Sequence, residues 1–139
     1  MSVWTKWHAL DNAYKNSSLH TNGLYEIRMI ERNGQPARIS RLRGADEHGI
    51  LYIGHSRYLG TRLLAFKSGN HTAGDLYWRV YRQLMHSSEH GNHKLQFRVR
   101  MFGSEVKLKS RERTTLRSYL IKFCELPPLN STMPGGVWD

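Results

Sequence analysis

Apolar and polar residues alternate in two stretches of the chain, and a third short stretch is apolar throughout; together they predict three β-strands. The first strand begins at Leu24 and is predicted to end near the turn sequence Asn33-Gly34. A short apolar stretch from Ile50 to Ile53, followed by Gly54, predicts the second. The third covers Leu95 to Met101, where apolar residues alternate with glutamine and arginine, giving one buried and one basic face.

Three other stretches have the helical period of 3.6 residues. They predict a helix from Arg57 to Phe66, another from Ala73 to about Met85, and a last one that begins between Ser104 and Ser110. The last helix must end before Pro127-Pro128, because proline cannot continue a helix. The residues expected to face the core are Leu59, Leu63 and Phe66, then Leu76, Val80 and Leu84, and finally Leu116, Leu120 and Phe123.

These elements predict an α+β fold in one domain, since 139 residues are enough for a single core. Residues 1–22 lack strand alternation, so we interpret them as an extension packed on a domain of residues 23–139. The segment from Arg32 to Gly49 is expected to be extended or hairpin-like, and the segment from His86 to His93 to be a polar loop.

The charge of the chain favours a polyanionic partner. Lysine and arginine exceed aspartate and glutamate by 21 − 11 = +10, and the isoelectric point is about 10.1. A ribosomal or membrane-surface protein would also fit this charge. No stretch reaches membrane-spanning length, the N-terminus has no signal-peptide core, and the single Cys124 fits a reducing compartment. We therefore expect a cytoplasmic protein.

Two charged residues fall on stripes that are otherwise apolar. Arg62 shares a helical face with the predicted core residues of its helix, so it needs a partner, a route to solvent or a bound anion. Glu112 lies four residues before Leu116 on the face predicted to meet the sheet. A carboxylate there is protonated, paired or bound to a metal, unless it is exposed and balances Arg111 and Arg113.

Histidines 86, 90 and 93 form a cluster that could suggest a zinc site. Structural zinc usually requires close Cys/His pairs, and the one cysteine lies far away in sequence. A solvated loop is the preferred interpretation.

Several short motifs together resemble the signature of the GIY-YIG nuclease family, in the order that the family has them. The matching residues are Gly23-Leu24-Tyr25, Tyr52-Ile53-Gly54, Ser56, Leu59, Arg62 and Leu63, then Glu112, Leu116, Tyr119 and the stretch Glu125 to Asn130. The resemblance covers about four-fifths of the chain, from Gly23 to roughly Pro134. It implies a small, mainly antiparallel three-stranded sheet flanked by helices, in which Arg32 to Gly49 is an insertion.

The resemblance also implies a reaction, hydrolysis of nucleic-acid phosphodiesters with one divalent metal. Glu112 would hold Mg²⁺ or Mn²⁺, and Arg62 would bind the scissile phosphate. Tyr25 would position or deprotonate the attacking water, Tyr52 would join its hydrogen-bond network, and Asn130 would bond near the site. The expected products are 5′-phosphate and 3′-hydroxyl ends.

One position departs from the family pattern. Many members have a histidine or tyrosine one turn after the arginine, whereas this chain has Phe66, which cannot relay a proton. His71, in the loop after the helix, or His55, beside Tyr52-Ile53-Gly54, could take that place. We expect His71 to be the better candidate, although either could simply be exposed.

We therefore expect a standalone, restriction-like endonuclease acting on double-stranded DNA, with a homodimer as an open option. The alternatives are a catalytically inactive nucleic-acid-binding module with the same fold and an RNA-directed nuclease. Basic residues that could follow the phosphates are Arg38, Arg41, Arg43, Arg98, Arg100, Lys107 and Lys109. Such basic runs can also serve only solubility.

Overall fold

A four-stranded antiparallel sheet forms the centre of the fold. The computed structural model describes residues 3–15, 21–86, 94–103 and 107–133. In chain order its strands are β1 (His8–Ala9), β2 (Gly23–Ile30), β3 (Ile39–Ser40), β4 (Ala45–Asp46), β5 (Ile50–Ser56) and β6 (Lys94–Met101). The main sheet has the order β1-β6-β2-β5, while β3 and β4 pair with each other in a separate ribbon.

Helices cover both faces of the sheet. A 3₁₀ helix (Leu10–Lys15) precedes β2, and α1 (Leu59–Ser68) follows β5. After α1 come α2 (Thr72–Leu76), a π-helical turn (Tyr77–Tyr81) and α3 (Arg82–His86), and α4 (Leu108–Phe123) follows β6. The predicted α+β class is confirmed. No helix in the described ranges is long and apolar enough to cross a bilayer.

The sheet has four strands, so the expected count of three was wrong. The additional strand comes from the N-terminal segment, where His8 pairs with Phe97 and Ala9 with Gln96 of β6. Thr5 extends this contact, because its backbone N–H donates to Val99 O at 2.9 Å. The strand β1 has only two residues, so it is too short to leave an alternating side-chain pattern in the sequence.

Each face of the sheet packs against different helices. Tyr25, on one face of β2, belongs to a core cluster with Leu59, Leu63 and Phe66 of α1, as the helical stripe predicted. On the other face, Ile53 of β5 packs against α4. The residues of α4 that are buried are Glu112, Leu116, Tyr119 and Phe123. Both clusters reach β5, which is the edge strand.

The sequence suggested that Gly54 ends the second predicted strand, which was wrong. Gly54 lies inside β5. A Cβ atom at this position would lie 2.7 Å from the hydroxyl oxygen of Tyr25 and 2.7 Å from the ring of Tyr52. The glycine therefore marks a close approach of two aromatic side chains to the backbone, which is a known use of glycine in strands.

The predicted core stripe of the middle helix was also wrong. Leu76, Val80 and Leu84 are 41%, 46% and 68% exposed, and Tyr77 is buried in their place. Gly74 fixes this orientation, because its backbone packs so closely on Phe66 that a Cβ would lie 2.4 Å from the Phe66 oxygen. The π-helical turn then changes the period, so a regular 3.6-residue stripe no longer applies.

The segment between Arg32 and Gly49 contains the β3–β4 ribbon and is hairpin-like, as expected. Ile39 pairs with Asp46, and the N–H of Arg41 donates to Gly44 O at 3.0 Å at its turn. The buried Asp46 also accepts a hydrogen bond from the hydroxyl of Tyr119 at 2.9 Å. This bond ties the ribbon to α4.

Candidate active site

A cleft of about 520 Å³ opens at the outer edge of β5. Five of the six residues predicted to be catalytic line it, namely Tyr52, Arg62, His71, Glu112 and Asn130. They come from five different parts of the chain: β5, α1, the residue before α2, α4, and the segment after α4. The fold therefore brings together side chains that lie up to 78 positions apart, from residue 52 to residue 130.

Tyr25, the sixth predicted residue, lies directly behind this cleft and is 0% exposed. Its hydroxyl oxygen is 3.4 Å from Nε2 of His71. The ring centroids of Tyr25 and Tyr52 are 5.8 Å apart. Tyr52 and His71 line the cleft and Tyr25 does not, so a molecule in the cleft meets these two side chains first.

The hydrogen bonds of His71 determine where its proton lies. His71 is the N-cap of α2, and its Nδ1 accepts the backbone N–H of Ala73 at 3.1 Å. A neutral imidazole has one donor and one acceptor nitrogen, so Nε2 carries the hydrogen and faces the oxygen of Tyr25. Burial, followed by the charge of Arg62, lowers the pKa of His71 to about 4. His71 is therefore a neutral hydrogen-bond donor to Tyr25.

Burial keeps both site tyrosines protonated. It is the largest cause that raises the pKa of Tyr25 well above its ordinary value of 10.0, and the neighbouring Tyr52 raises it further. Burial, and then the charge of Glu112, also raises the pKa of Tyr52. The charge of Arg62 lowers both pKa values without outweighing burial. A phenolate here would need additional positive charge in the cleft.

Arg62 is exposed, although it shares a helical face with the buried Leu59 and Phe66. It can be exposed because the cleft leaves this point of α1 uncovered, so the guanidinium reaches the open space directly. No ion pair is found for Arg62 among the residues that the structure describes. The sequence left three options for Arg62: an ion-pair partner, a route to solvent or a bound anion. The structure shows the route to solvent.

Glu112 brings a carboxylate to the cleft from α4 and is only 7% exposed. Its Oε2 lies 3.2 Å from Nδ1 of His55, yet this buried nitrogen makes no hydrogen bond. The contact is therefore close without the orientation of a hydrogen bond. A buried carboxylate beside an unsatisfied polar atom is a pair that an additional bound group would complete.

These two residues fit a divalent metal with few protein ligands. Mg²⁺ prefers oxygen and is often held by one or two carboxylates with water in the other positions. Glu112 supplies one such carboxylate, and no cluster of three or more metal-binding side chains occurs in the described part of the chain. The arrangement fits one carboxylate plus water better than a closed structural metal site.

Asn130 closes the site by completing the edge of β5. Its side-chain oxygen accepts the N–H of Ile53 at 3.0 Å, and its side-chain nitrogen donates to Ile53 O at 2.9 Å. The backbone N–H of Leu129 bonds Leu51 O at 2.9 Å. The amide thus takes the place of a neighbouring strand and holds residues 129–132 as one wall of the cleft.

The arginines predicted on the insertion do not line the cleft. Arg38 is exposed and pairs with Glu47 at 2.8 Å. Arg41 is largely buried and donates to Glu125 at 2.7 Å and to a backbone oxygen. The backbone N–H of Arg43 donates to an oxygen at the end of α4, while its side chain is exposed. Arg41 thus holds the ribbon against the end of α4.

Arg98 and Arg100 on β6 also lie away from the cleft. Arg98 pairs with the buried Glu26 and lies over the rings of Trp4 and Trp7, 4.6 and 4.8 Å from their centroids. Arg100 lies over the ring of a phenylalanine, 5.1 Å from its centroid. The face predicted to be basic is therefore partly covered by the N-terminal segment.

Lys109 lines the cleft, and Lys107 lines a larger groove beside it. Arg57 lines the same groove, and sequence reasoning did not select it. The signal was present, because Arg57 directly follows β5 and precedes α1, which carries Arg62. Of the histidines considered for zinc, His90 and His93 lie outside the described residues, and only the backbone of His86 is described.

Comparison of the chain with protein-family models, with curated proteins and with solved structures finds no match.

Proposed function

We propose that this chain is a metal-dependent endonuclease that hydrolyses DNA phosphodiester bonds at a GIY-YIG-like site. One observation carries the proposal: an exposed arginine, a buried glutamate, a tyrosine and an asparagine that are distant in sequence meet at one cleft, with a second tyrosine next to the first. They are the same residues that the motif resemblance selected. A chain with a net charge of +10 also fits a polyanionic substrate.

Arg62 would bind the scissile phosphate. Its guanidinium is exposed in the cleft, and no described carboxylate neutralises it. The planar group can form two parallel hydrogen bonds to phosphate oxygens, and it would stabilise the charge that builds up on them during hydrolysis. Such a donor that is already in place at the developing charge is usually the largest single contribution to catalysis.

Glu112 would hold Mg²⁺ or Mn²⁺ at the floor of the cleft, beside His55. The metal, when bound, would act as a Lewis acid on the phosphate and stabilise the leaving oxygen. Because α4 buries Glu112 together with Leu116, the carboxylate is fixed in position before any ligand arrives. This is the preorganisation that a metal site with few protein ligands needs.

The tyrosine pair would orient the attacking water. His71 donates to Tyr25, the rings of Tyr25 and Tyr52 lie side by side with centroids 5.8 Å apart, and Tyr52 lines the cleft. We infer that Tyr52 contacts the water and that Tyr25 acts through Tyr52. His71 would then hold the Tyr25 oxygen and would not accept its proton, because the other ring nitrogen is occupied by the Ala73 N–H.

One observation favours the second candidate, a nucleic-acid-binding module without activity. Phe66 is fully buried beside Tyr52 and His71, with ring centroids 6.0 and 5.8 Å away, so no acid–base group occupies that position. An RNA substrate is a third candidate. We place the protein in the cytoplasm, where a free and exposed Cys124 is compatible with reducing conditions. A homodimer stays an open option for cutting two strands.

The test is incubation of the purified protein with plasmid, single-stranded DNA and RNA, with Mg²⁺, with Mn²⁺ and with EDTA. The proposal expects cutting of duplex DNA that EDTA abolishes. Binding without cutting under every condition would support the inactive nucleic-acid-binding module. Cutting of RNA alone would support the third candidate, an RNA-directed nuclease.

A further inference from the structure

A second and larger groove continues from the cleft, between the start of α1 and the start of α4. Its volume is about 1130 Å³, and Arg62 and Lys109 line both the groove and the cleft. Pockets for small molecules usually measure about 300–1,000 Å³. The groove therefore has the size and continuity for a chain-like ligand that runs on into the cleft.

The charged side chains of this groove are cationic. Arg57, Arg62, Lys107 and Lys109 line it, and its described lining contains no carboxylate. All four side chains belong to exposed residues. Four cations along one path attract a polyanion, because their fields add.

Ion pairing distinguishes these cations from the basic residues that the sequence had suggested. Arg38, Arg41 and Arg98 each have a carboxylate partner within 2.8 Å. No ion pair involves Arg57 or Lys107 across the described ranges. A cation that has no ion pair breaks none when it binds a phosphate, so the groove is the stronger phosphate site.

An aromatic ring and two hydroxyl groups complete the groove. Tyr58 is 67% exposed, and its backbone N–H donates to Oγ of Ser56 at 2.9 Å, which holds the turn before α1. Ser110 lies on the α4 side. Cations that follow the backbone, hydroxyl donors for phosphate and an exposed ring for a sugar or base are the groups that nucleic-acid-binding grooves combine.

We propose that this groove binds the sugar–phosphate backbone of a nucleic-acid strand, with Arg57 and Lys107 on phosphates to one side of the phosphate that lies in the cleft. The proposal rests on the proposed nuclease function in one respect, namely that the phosphate at Arg62 is the scissile phosphate. It concerns binding alone, and so it can be tested without metal and without cleavage.

The test measures binding by fluorescence anisotropy in EDTA, over a series of salt concentrations, with the folded full chain. The probes are a labelled DNA duplex, one of its single strands and an RNA duplex of the same sequence. The test variant is Arg57→Ala/Lys107→Ala. The matched control is Arg79→Ala/Lys122→Ala, which removes the same two charges from exposed sites outside the groove. Circular dichroism is used to check that both variants are folded.

The proposal predicts at least a tenfold weaker affinity for the test variant and a log–log salt slope that is flatter by about 1.8, since each duplex phosphate contact contributes about 0.9. The control should keep the wild-type slope, and the probe with the largest loss identifies the strand type. Equal losses in both variants, an unchanged slope, or no binding by the wild type would overturn the proposal. If groove-dependent binding is found but no substrate is cut, the groove is supported and the nuclease function fails.

Discussion

Nε2 of His71 lies 3.4 Å from the hydroxyl oxygen of Tyr25, and His71 is held there as the N-cap of α2. Because Nδ1 already accepts the N–H of Ala73, His71 cannot take a proton at Nδ1 without losing this cap. His71 is therefore a donor that positions Tyr25. This differs from the acid–base role that its location in sequence suggested.

His71 should make the protein less stable as the pH falls. The pKa is about 4 in the folded chain, against an ordinary value of 6.5, so the unfolded chain takes up a proton first. Its contribution to the free energy of unfolding is complete above pH 6.5 and is lost as the pH falls toward 4. Urea unfolding followed by tryptophan fluorescence at several pH values measures this loss.

The comparison protein is His71→Asn, since asparagine can still cap α2 but has no group that titrates in this range. The stability of the wild type should fall more steeply than that of the variant between pH 6.5 and 4. Parallel curves for the two proteins would mean that the folded chain can protonate His71, and the assigned tautomer would be wrong.

Tyr52 should be at least as important for cleavage as Tyr25, because Tyr52 lines the cleft and Tyr25 lies behind it. Replacing either by phenylalanine keeps the ring and removes one hydroxyl. Tyr52→Phe should slow single-turnover cleavage by about 10²-fold or more, as for loss of an acid–base group, and Tyr25→Phe by no more than that. If Tyr52→Phe cleaves at the wild-type rate and Tyr25→Phe is inactive, Tyr25 contacts the water itself.

Gly54→Ala should displace the two site tyrosines, because their side chains pack directly on the backbone of Gly54. The new Cβ would lie 2.7 Å from both tyrosine side chains, and Tyr25 is fully buried, so it has little space to move. We expect the free energy of unfolding to fall by about 1–3 kcal/mol, as for other overpacked cores, and cleavage to be lost with it. Gly103→Ala is the control, because its Cβ would meet no atom within 4 Å. Equal stability of the two variants would contradict this packing.

Local patterns predicted those parts of the site that depend on a single element. The stripe of Leu59, Leu63 and Phe66 on α1 and the inward position of Glu112 on α4 follow from the helical period alone. The same reasoning failed at Leu76, because the close contact of Gly74 with α1 and the π-helical turn decide which face is buried. Neither feature changes the spacing of apolar residues.

The individual contacts between distant segments could not be predicted from the local patterns of the sequence. Asn130 forms two hydrogen bonds with Ile53, 77 positions away, and Arg41 forms an ion pair with Glu125, 84 positions away. The sequence identified Arg41 as basic but could not show that a carboxylate neutralises it. For Arg57 the error went the other way, because the sequence analysis did not select it. Arg57 and Arg62 line the same groove in the folded chain.

The central claim is that Glu112 and Arg62 form one metal-dependent phosphodiester site. The most direct measurement is the single-turnover cleavage rate of a labelled DNA duplex by the wild type, Glu112→Gln and Arg62→Ala. Duplex affinity is measured in parallel in EDTA, and thermal unfolding confirms the fold. The account predicts that each variant loses at least about 100-fold in rate, Arg62→Ala because a donor to the transition state is removed and Glu112→Gln because an amide oxygen binds the metal more weakly than a carboxylate, while Glu112→Gln keeps its duplex affinity. A folded Glu112→Gln variant that cuts at the wild-type rate with the same dependence on Mg²⁺ would contradict it.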